Sequence, residues 1–138
     1  MKVFKYREPY TPDGKTTYPE TINRSGVYVI KRDGVVCYVG HSKTNLYKTM
    51  YRHFQSWKDK EQVRVTYANS MKSHKFTVRI IYATPAQADR LEKYLILKLV
   101  PTDNPNNLAM FSPSEMEGKR ILDTGKQYEN TEPFWTPF

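Results

Sequence analysis

Two short runs rich in β-branched residues, 27–30 and 35–39, stand on either side of Asp33-Gly34. Strand-like runs separated by an Asp-Gly pair predict a β-hairpin, and no other local pattern constrains this chain as strongly. A hairpin folded there sets Tyr28 and Tyr38 on adjacent strands, with their hydroxyls close together. A plain cross-strand aromatic pair is one reading of that juxtaposition. A pair of functional hydroxyls is the other.

The rest of the chain supplies a small α+β framework. Residues 40–45 read as a loop, with Asn45 as N-cap of a helix running from Leu46 to about Trp57. Leu46, Met50, Phe54 and Trp57 fall on one face of that helix, His53 within the same stripe, and Lys48, Tyr51 and Arg52 on the polar side. Residues 62–67 and 76–83 read as two further strands joined by a basic loop containing His74. Pro85 suits the first turn of a second helix that extends to Leu99 and stops before Pro101. Its apolar stripe is Ala88, Leu91, Leu95, Ile96 and Leu99. Residues 1–25, with three prolines and three tyrosines, predict an extended arm that packs aromatics on the body. Residues 108–138 predict a C-terminal extension that packs on the core or is partly mobile.

A chain of 138 residues fits one domain. No apolar run reaches the ~18 residues of a membrane span, and residues 1–7 lack the apolar stretch of a secretory signal. The single cysteine, Cys37, cannot form an internal disulfide; a small strand residue in a reducing cytoplasm is its simplest reading. The net charge of +8 is unevenly placed. Residues 1–80 carry 16 Lys and Arg against 6 Asp and Glu, whereas residues 81–138 carry 6 against 8. The part that holds the tyrosine pair is therefore the part that attracts a polyanion.

Glu92 projects from the second helix among Ala88, Leu95, Ile96 and Leu99. A carboxylate in an apolar stripe is costly unless it is paired with a cationic side chain or ligated to a cation. No Cys/His spacing for zinc, no Gly-rich phosphate loop and no Gly-x-Ser-x-Gly is present.

Gly26-Val27-Tyr28, Tyr38-Val39-Gly40, Glu92 and Pro101-Thr102-Asp103-Asn104, in that order, resemble the GIY-YIG nuclease family, with Val for Ile in both halves of the signature. Asn45-Leu46 and Arg52-His53-Phe54 resemble the helix of its homing endonucleases. The resemblance runs from Gly26 to Asn107 and implies a small antiparallel sheet flanked by helices, with residues 26–107 as the catalytic core. It implies metal-assisted hydrolysis of DNA phosphodiesters, with Mg2+ (or Mn2+) held by Glu92. Tyr28 would be the general base, through its phenolate, and Tyr38 would orient water or phosphate. His53 would bond a tyrosine or the phosphate, and Asn104 would brace the site. The family's helix arginine is absent, because Thr49 occupies its position. Arg52 is the first candidate to replace it, with Lys48, Arg64 and Arg79 behind.

Lys43, Lys48, Arg52, Lys72 and Lys75 are the expected contacts to the nucleic-acid backbone, which position DNA without reading its sequence. Target choice would then come from loops, from dimerisation or from a partner protein. A non-cleaving nucleic-acid-binding module on the same fold and a protein-interaction domain are the competing readings.

Overall fold

Asp33 and Gly34 both adopt positive φ, 50° and 81°, the backbone twist that a two-residue hairpin turn needs. They join β1 (Gly26–Arg32) to β2 (Val35–Ser42), which pair antiparallel. A third antiparallel strand, β3 (Phe76–Tyr82), lies on the other side of β1, giving the order β2-β1-β3. The Asp33 carboxylate receives the His74 ring nitrogen at 2.6 Å and the Lys75 amide at 2.9 Å, so the turn is tied to the start of β3. The structure is a computed structural model that describes residues 2–55 and 66–104. The expected end of the first helix at Trp57, Arg64, most of the expected strand 62–67 and the C-terminal extension lie outside those residues. The described part of that strand, Thr66 and Tyr67, is irregular.

The hairpin is longer than its apolar runs suggest. Gly40, His41 and Ser42, expected in a loop, complete β2 and pair with Tyr28, Val27 and Gly26. Its register shifts by one residue between Ile30 and Lys31, which leaves Cys37 as the extra residue of a bulge. The bulge places Cys37 and Tyr38 in one buried cluster, and the buried Cys37 thiol bonds the Ile30 carbonyl at 3.4 Å. Bulges of this kind re-aim the next side chain, which here is Tyr38.

Helices cover both faces. α1 (Leu46–Tyr51) is capped by Asn45, whose side chain accepts from the Lys48 amide at 3.1 Å. It ends six residues earlier than the apolar stripe implies, passing into a 3-10 turn over Arg52–Phe54. Beyond that turn the His53 oxygen accepts from the Tyr67 amide at 2.6 Å and Gln55 is extended, so the chain has left the helical path there. α2 (Pro85–Leu99) matches its sequence reading end for end. Thr84 and Gln87 close a reciprocal capping box, and Val100 turns the chain out in the left-handed conformation. Val27, Val29, Val39 and Ile81 pack against Ala88, Leu91, Leu95 and Ile96 on one side of the sheet. Tyr28, Ile30, Val78 and Ile80 pack with Leu46, Met50 and Phe54 on the other.

The N-terminal segment lies against the sheet. The Phe4 and Arg7 amides bond the Ile80 and Val78 carbonyls, so residues 2–7 run along the open edge of β3. Tyr51, expected on the polar side of α1, is buried beneath this segment. Its hydroxyl accepts from the Thr17 and Tyr18 amides and donates to the Pro9 carbonyl at 2.8 Å. A phenol can satisfy three backbone groups in a dry interface, which explains why a tyrosine stands where amphipathicity alone asks for a charge.

Candidate active site

Tyr28 and Tyr38 project from the same face of the hairpin, their rings stacked with centroids 6.1 Å apart. Tyr28 pairs with Gly40 in the register, and its hydroxyl lies across that glycine. A Cβ on Gly40 would overlap the Tyr28 ring carbon and hydroxyl oxygen, so the glycine supplies the space the phenol occupies. Gly26 has a parallel role, since a Cβ there would overlap the Ile81 carbonyl oxygen on β3. Both glycines of the paired triplets are thus steric requirements of the hairpin.

His53, carried by the 3-10 turn that ends α1, reaches the same spot. Its Nε2 is 2.8 Å from the Tyr28 hydroxyl, and its ring centroid is 4.6 Å from that of Tyr38. His53 and Tyr28 are both buried, and Tyr38 is half-buried. The structure therefore selects Tyr28 from the partners open to His53.

Burial holds the Tyr28 phenol well above its ordinary pKa, and the nearby Tyr38 and Glu92 add to the shift, while the Arg52 charge opposes it. Tyr38 is raised too, by burial and then by Glu92. Without a bound cation, burial therefore works against the Tyr28 phenolate. A dry, carboxylate-facing environment penalises a second anion there, and the neutral hydroxyl shares a hydrogen bond with His53 Nε2.

The cation question narrows. Thr49 spends its hydroxyl on the Asn45 carbonyl of its own helix, 3.1 Å away. Arg79 is opposite Val29 in the register, on the face turned away from the tyrosines, with its guanidinium 4.7 Å from the Tyr6 ring centre. It does not enter the site, because strand alternation sends it to the α2 side. Lys48 is exposed on α1. Among the described candidates, Arg52 is the one whose charge acts on Tyr28.

Glu92 lies at the rim of the α2 stripe, its side chain 20% exposed, rather than at the stripe's centre. Its Oε2 is 2.7 Å from His41 Nδ1. The partner is thus a histidine and not the Lys or Arg that charge alone suggests. That hydrogen bond, opposed by partial burial and helped by the Glu92 and Asp89 charges, raises the His41 pKa. Asp89 joins the group: one ligand atom from each of His41, Asp89 and Glu92 lies within 4.8 Å of the others. An imidazole and two carboxylates form a donor set that suits a divalent cation. Sequence reasoning missed His41 and Asp89. The available signals were alternation beyond Gly40, which puts His41 on the Val39 face, and the three-residue step from Asp89 to Glu92.

Asn104 holds the outer edge of β2. Its amide oxygen accepts from the Val39 amide and its amide nitrogen donates to the Val39 carbonyl, both at 2.8 Å. Asp103 extends the contact, its amide bonding the Cys37 carbonyl and its carboxylate accepting from the Tyr67 hydroxyl at 2.8 Å. The 103–104 segment therefore satisfies an edge strand that would otherwise stand open. Asn104 braces the backbone between Tyr38 and Gly40 without touching Tyr28 or Glu92.

The lysines divide by position. Lys43 follows β2 and lies near His41, and Lys48 is exposed on α1. Lys72 and Lys75 stand at the opposite end of the sheet, beside the Asp33 turn, and Lys75 is 3.6 Å from Glu8. Among the described residues no helix is long and apolar enough to cross a membrane. The family model described as the GIY-YIG catalytic domain matches residues 24–107. No curated protein and no solved structure gives a significant match.

Proposed function

Because the chain belongs to the GIY-YIG catalytic domain family, whose members are generally nucleases that use divalent metals and act on DNA, we propose that it is a metal-dependent DNA endonuclease. The observation that carries this reading is the Tyr28 hydroxyl seated over Gly40 at 2.8 Å from His53 Nε2, with Tyr38 stacked beside it. Tyr28 serves as base by relay. As water attacks phosphorus, its proton passes to the Tyr28 oxygen while the Tyr28 proton passes to His53 Nε2. The phosphorus–oxygen bond to the 3′ oxygen breaks, and that oxygen takes its proton from solvent.

The relay removes the need for a free phenolate, which the buried site disfavours. Arg52 lowers the cost of negative charge building on Tyr28 and stands in for the arginine that Thr49 displaces. Tyr38, the less buried of the pair, orients the water or the phosphate. Asn104 acts through β2, as a positioning residue, by fixing the backbone between Tyr38 and Gly40. Glu92 would hold the divalent cation, Mg2+ or Mn2+. When bound, that ion stabilises charge on the phosphate and on the leaving oxygen. Lys43, Lys48 and Arg52 are the backbone contacts that support this end of the sheet as the DNA face; Lys72 and Lys75 would extend it only to a long substrate.

The second reading, a DNA-binding module that does not cut, draws on Thr49, whose bonded hydroxyl carries no charge. A cleavage assay on supercoiled plasmid and on labelled single strands separates the two. It is run with Mg2+, with Mn2+ and with chelator, wild type beside Glu92→Gln. Metal-dependent cutting that falls about 10²-fold or more in the variant, with an unchanged melting temperature, supports the nuclease. Salt-sensitive DNA binding without cutting from a folded wild type would overturn it in favour of the binding module.

A further inference from the structure

We propose that His41 and Asp89 complete a three-residue cation site with Glu92, a mixed imidazole–carboxylate set that prefers transition-metal dications of the Mn2+ and Co2+ kind to Mg2+. The proposal rests on Glu92 as the cation's ligand and adds which side chains share the ion and which ion they favour.

The geometry comes from two elements. Asp89 and Glu92 are three residues apart on α2, so their carboxylates rise from one face of adjacent turns. His41, the penultimate residue of β2, points to the α2 face because it alternates with Val39. Its Nδ1 already lies 2.7 Å from Glu92 Oε2, and one ligand atom from each of the three lies within 4.8 Å of the others. All three side chains are half-buried, which suits a site that keeps some of the ion's waters.

The His41–Glu92 pair accounts for the imidazole and one carboxylate and leaves the second, Asp89, with only a surface partner, Lys93, among the described residues. Two carboxylates facing one imidazole leave the group negative even when His41 is charged. The nearby cations are modestly placed: Lys93 is 3.5 Å from Asp89 as an i,i+4 surface pair, and Lys43 is exposed. Such pairs offset little. The family match, obtained independently of these distances, points to metal use. Mg2+ favours oxygen ligands and sheds water reluctantly, whereas imidazole suits first-row transition ions. A histidine ligand therefore shifts preference away from Mg2+.

The test is titration of the metal-free full chain with CoCl2, MnCl2 and MgCl2 by calorimetry. In parallel, the ring nitrogens of the three histidines are followed by NMR as Co2+ is added. Wild type is expected to bind Co2+ and Mn2+ about tenfold or more tightly than Mg2+, with His41 perturbed before His53 and His74. His41→Ala should cost Co2+ about tenfold while leaving Mg2+ within about twofold, and Asp89→Asn should weaken all three ions. Circular dichroism checks that each variant is folded. Unchanged Co2+ affinity in folded His41→Ala, with binding still lost in Glu92→Gln, would overturn the three-residue site and leave Glu92 as a metal ligand standing. Metal binding unaffected by Glu92→Gln would overturn both readings.

Discussion

On one face of the β1–β2 hairpin, polar groups are buried and matched in close pairs: Tyr28 with His53, and the Tyr51 hydroxyl with three backbone groups. On the other face, the interior is mainly aliphatic, with the buried Arg79 guanidinium laid over the Tyr6 ring, and the group His41, Asp89 and Glu92 sits at a half-exposed rim. The first arrangement keeps hydrogen-bonded polar groups dry. The second keeps charge where water or an ion can reach it. Charged groups cannot be buried at the density of phenols, because an unpaired charge costs far more to desolvate than a hydroxyl with a partner. The edge strand β2 joins the two faces, and Gly40 and His41, adjacent in sequence, serve one each.

Variants on the two faces should fail differently. The largest effect is expected from His53→Gln, which keeps a hydrogen-bonding partner for Tyr28 but cannot carry its proton. Cleavage should drop about 10²-fold or more with little change in melting temperature. Wild-type cutting rates in this variant would remove the relay and leave His53 as a core residue. Gly40→Ala should act through packing. Its Cβ drives into the Tyr28 ring, so chemical denaturation should register a loss of about 1–3 kcal/mol, together with lost activity. A variant as stable as wild type would mean that Tyr28 has another place to go.

Asn104→Ala should be milder. It strips both hydrogen bonds from the Val39 backbone at a sheet edge, at a cost of about 1–2 kcal/mol. Faster hydrogen exchange at the Val39 amide is the specific mark of that loss, and unchanged exchange would show that the edge is held by other groups.

The smallest effect is a pH dependence from the rim. His41 has a folded pKa raised above its unfolded value by the Glu92 hydrogen bond. Its contribution to stability is therefore fully present below the unfolded value of about 6.5 and is lost as pH rises through the folded value. Because the pair is partly exposed, the expected fall is below about 1 kcal/mol. It should vanish in His41→Gln, and a melting temperature that rose over the same pH window in wild type would contradict the assignment.

Local chemistry was legible in the chain wherever one residue's own backbone preference decided the outcome. Asp33-Gly34 specified the turn, Asn45 and Pro85 specified helix starts, and Tyr28, Tyr38 and Glu92 stood out as a spaced set. Signals weakened where two distant segments compete for the same groups. Just beyond α1 the His53 carbonyl accepts from the Tyr67 amide, a contact no helical period encodes. Tyr51 is interior because the N-terminal segment lies over it, and Asn104 serves β2 because the chain after α2 returns to that edge.

The sequence by itself determined the hairpin, the starts of the two helices and the basic bias of the first 80 residues, since propensity, turn chemistry and charge are properties of short stretches, while the ordered tyrosine–glutamate set was legible through its resemblance to a family. Only the tertiary structure decided that the Tyr28 hydroxyl is buried against His53, that Arg79 faces away while the Arg52 charge is felt at Tyr28, and that His41 and Asp89 stand with Glu92. Each of those outcomes depends on strand register, on a one-residue bulge and on which face a helix presents, and these are settled by packing between elements far apart in the chain.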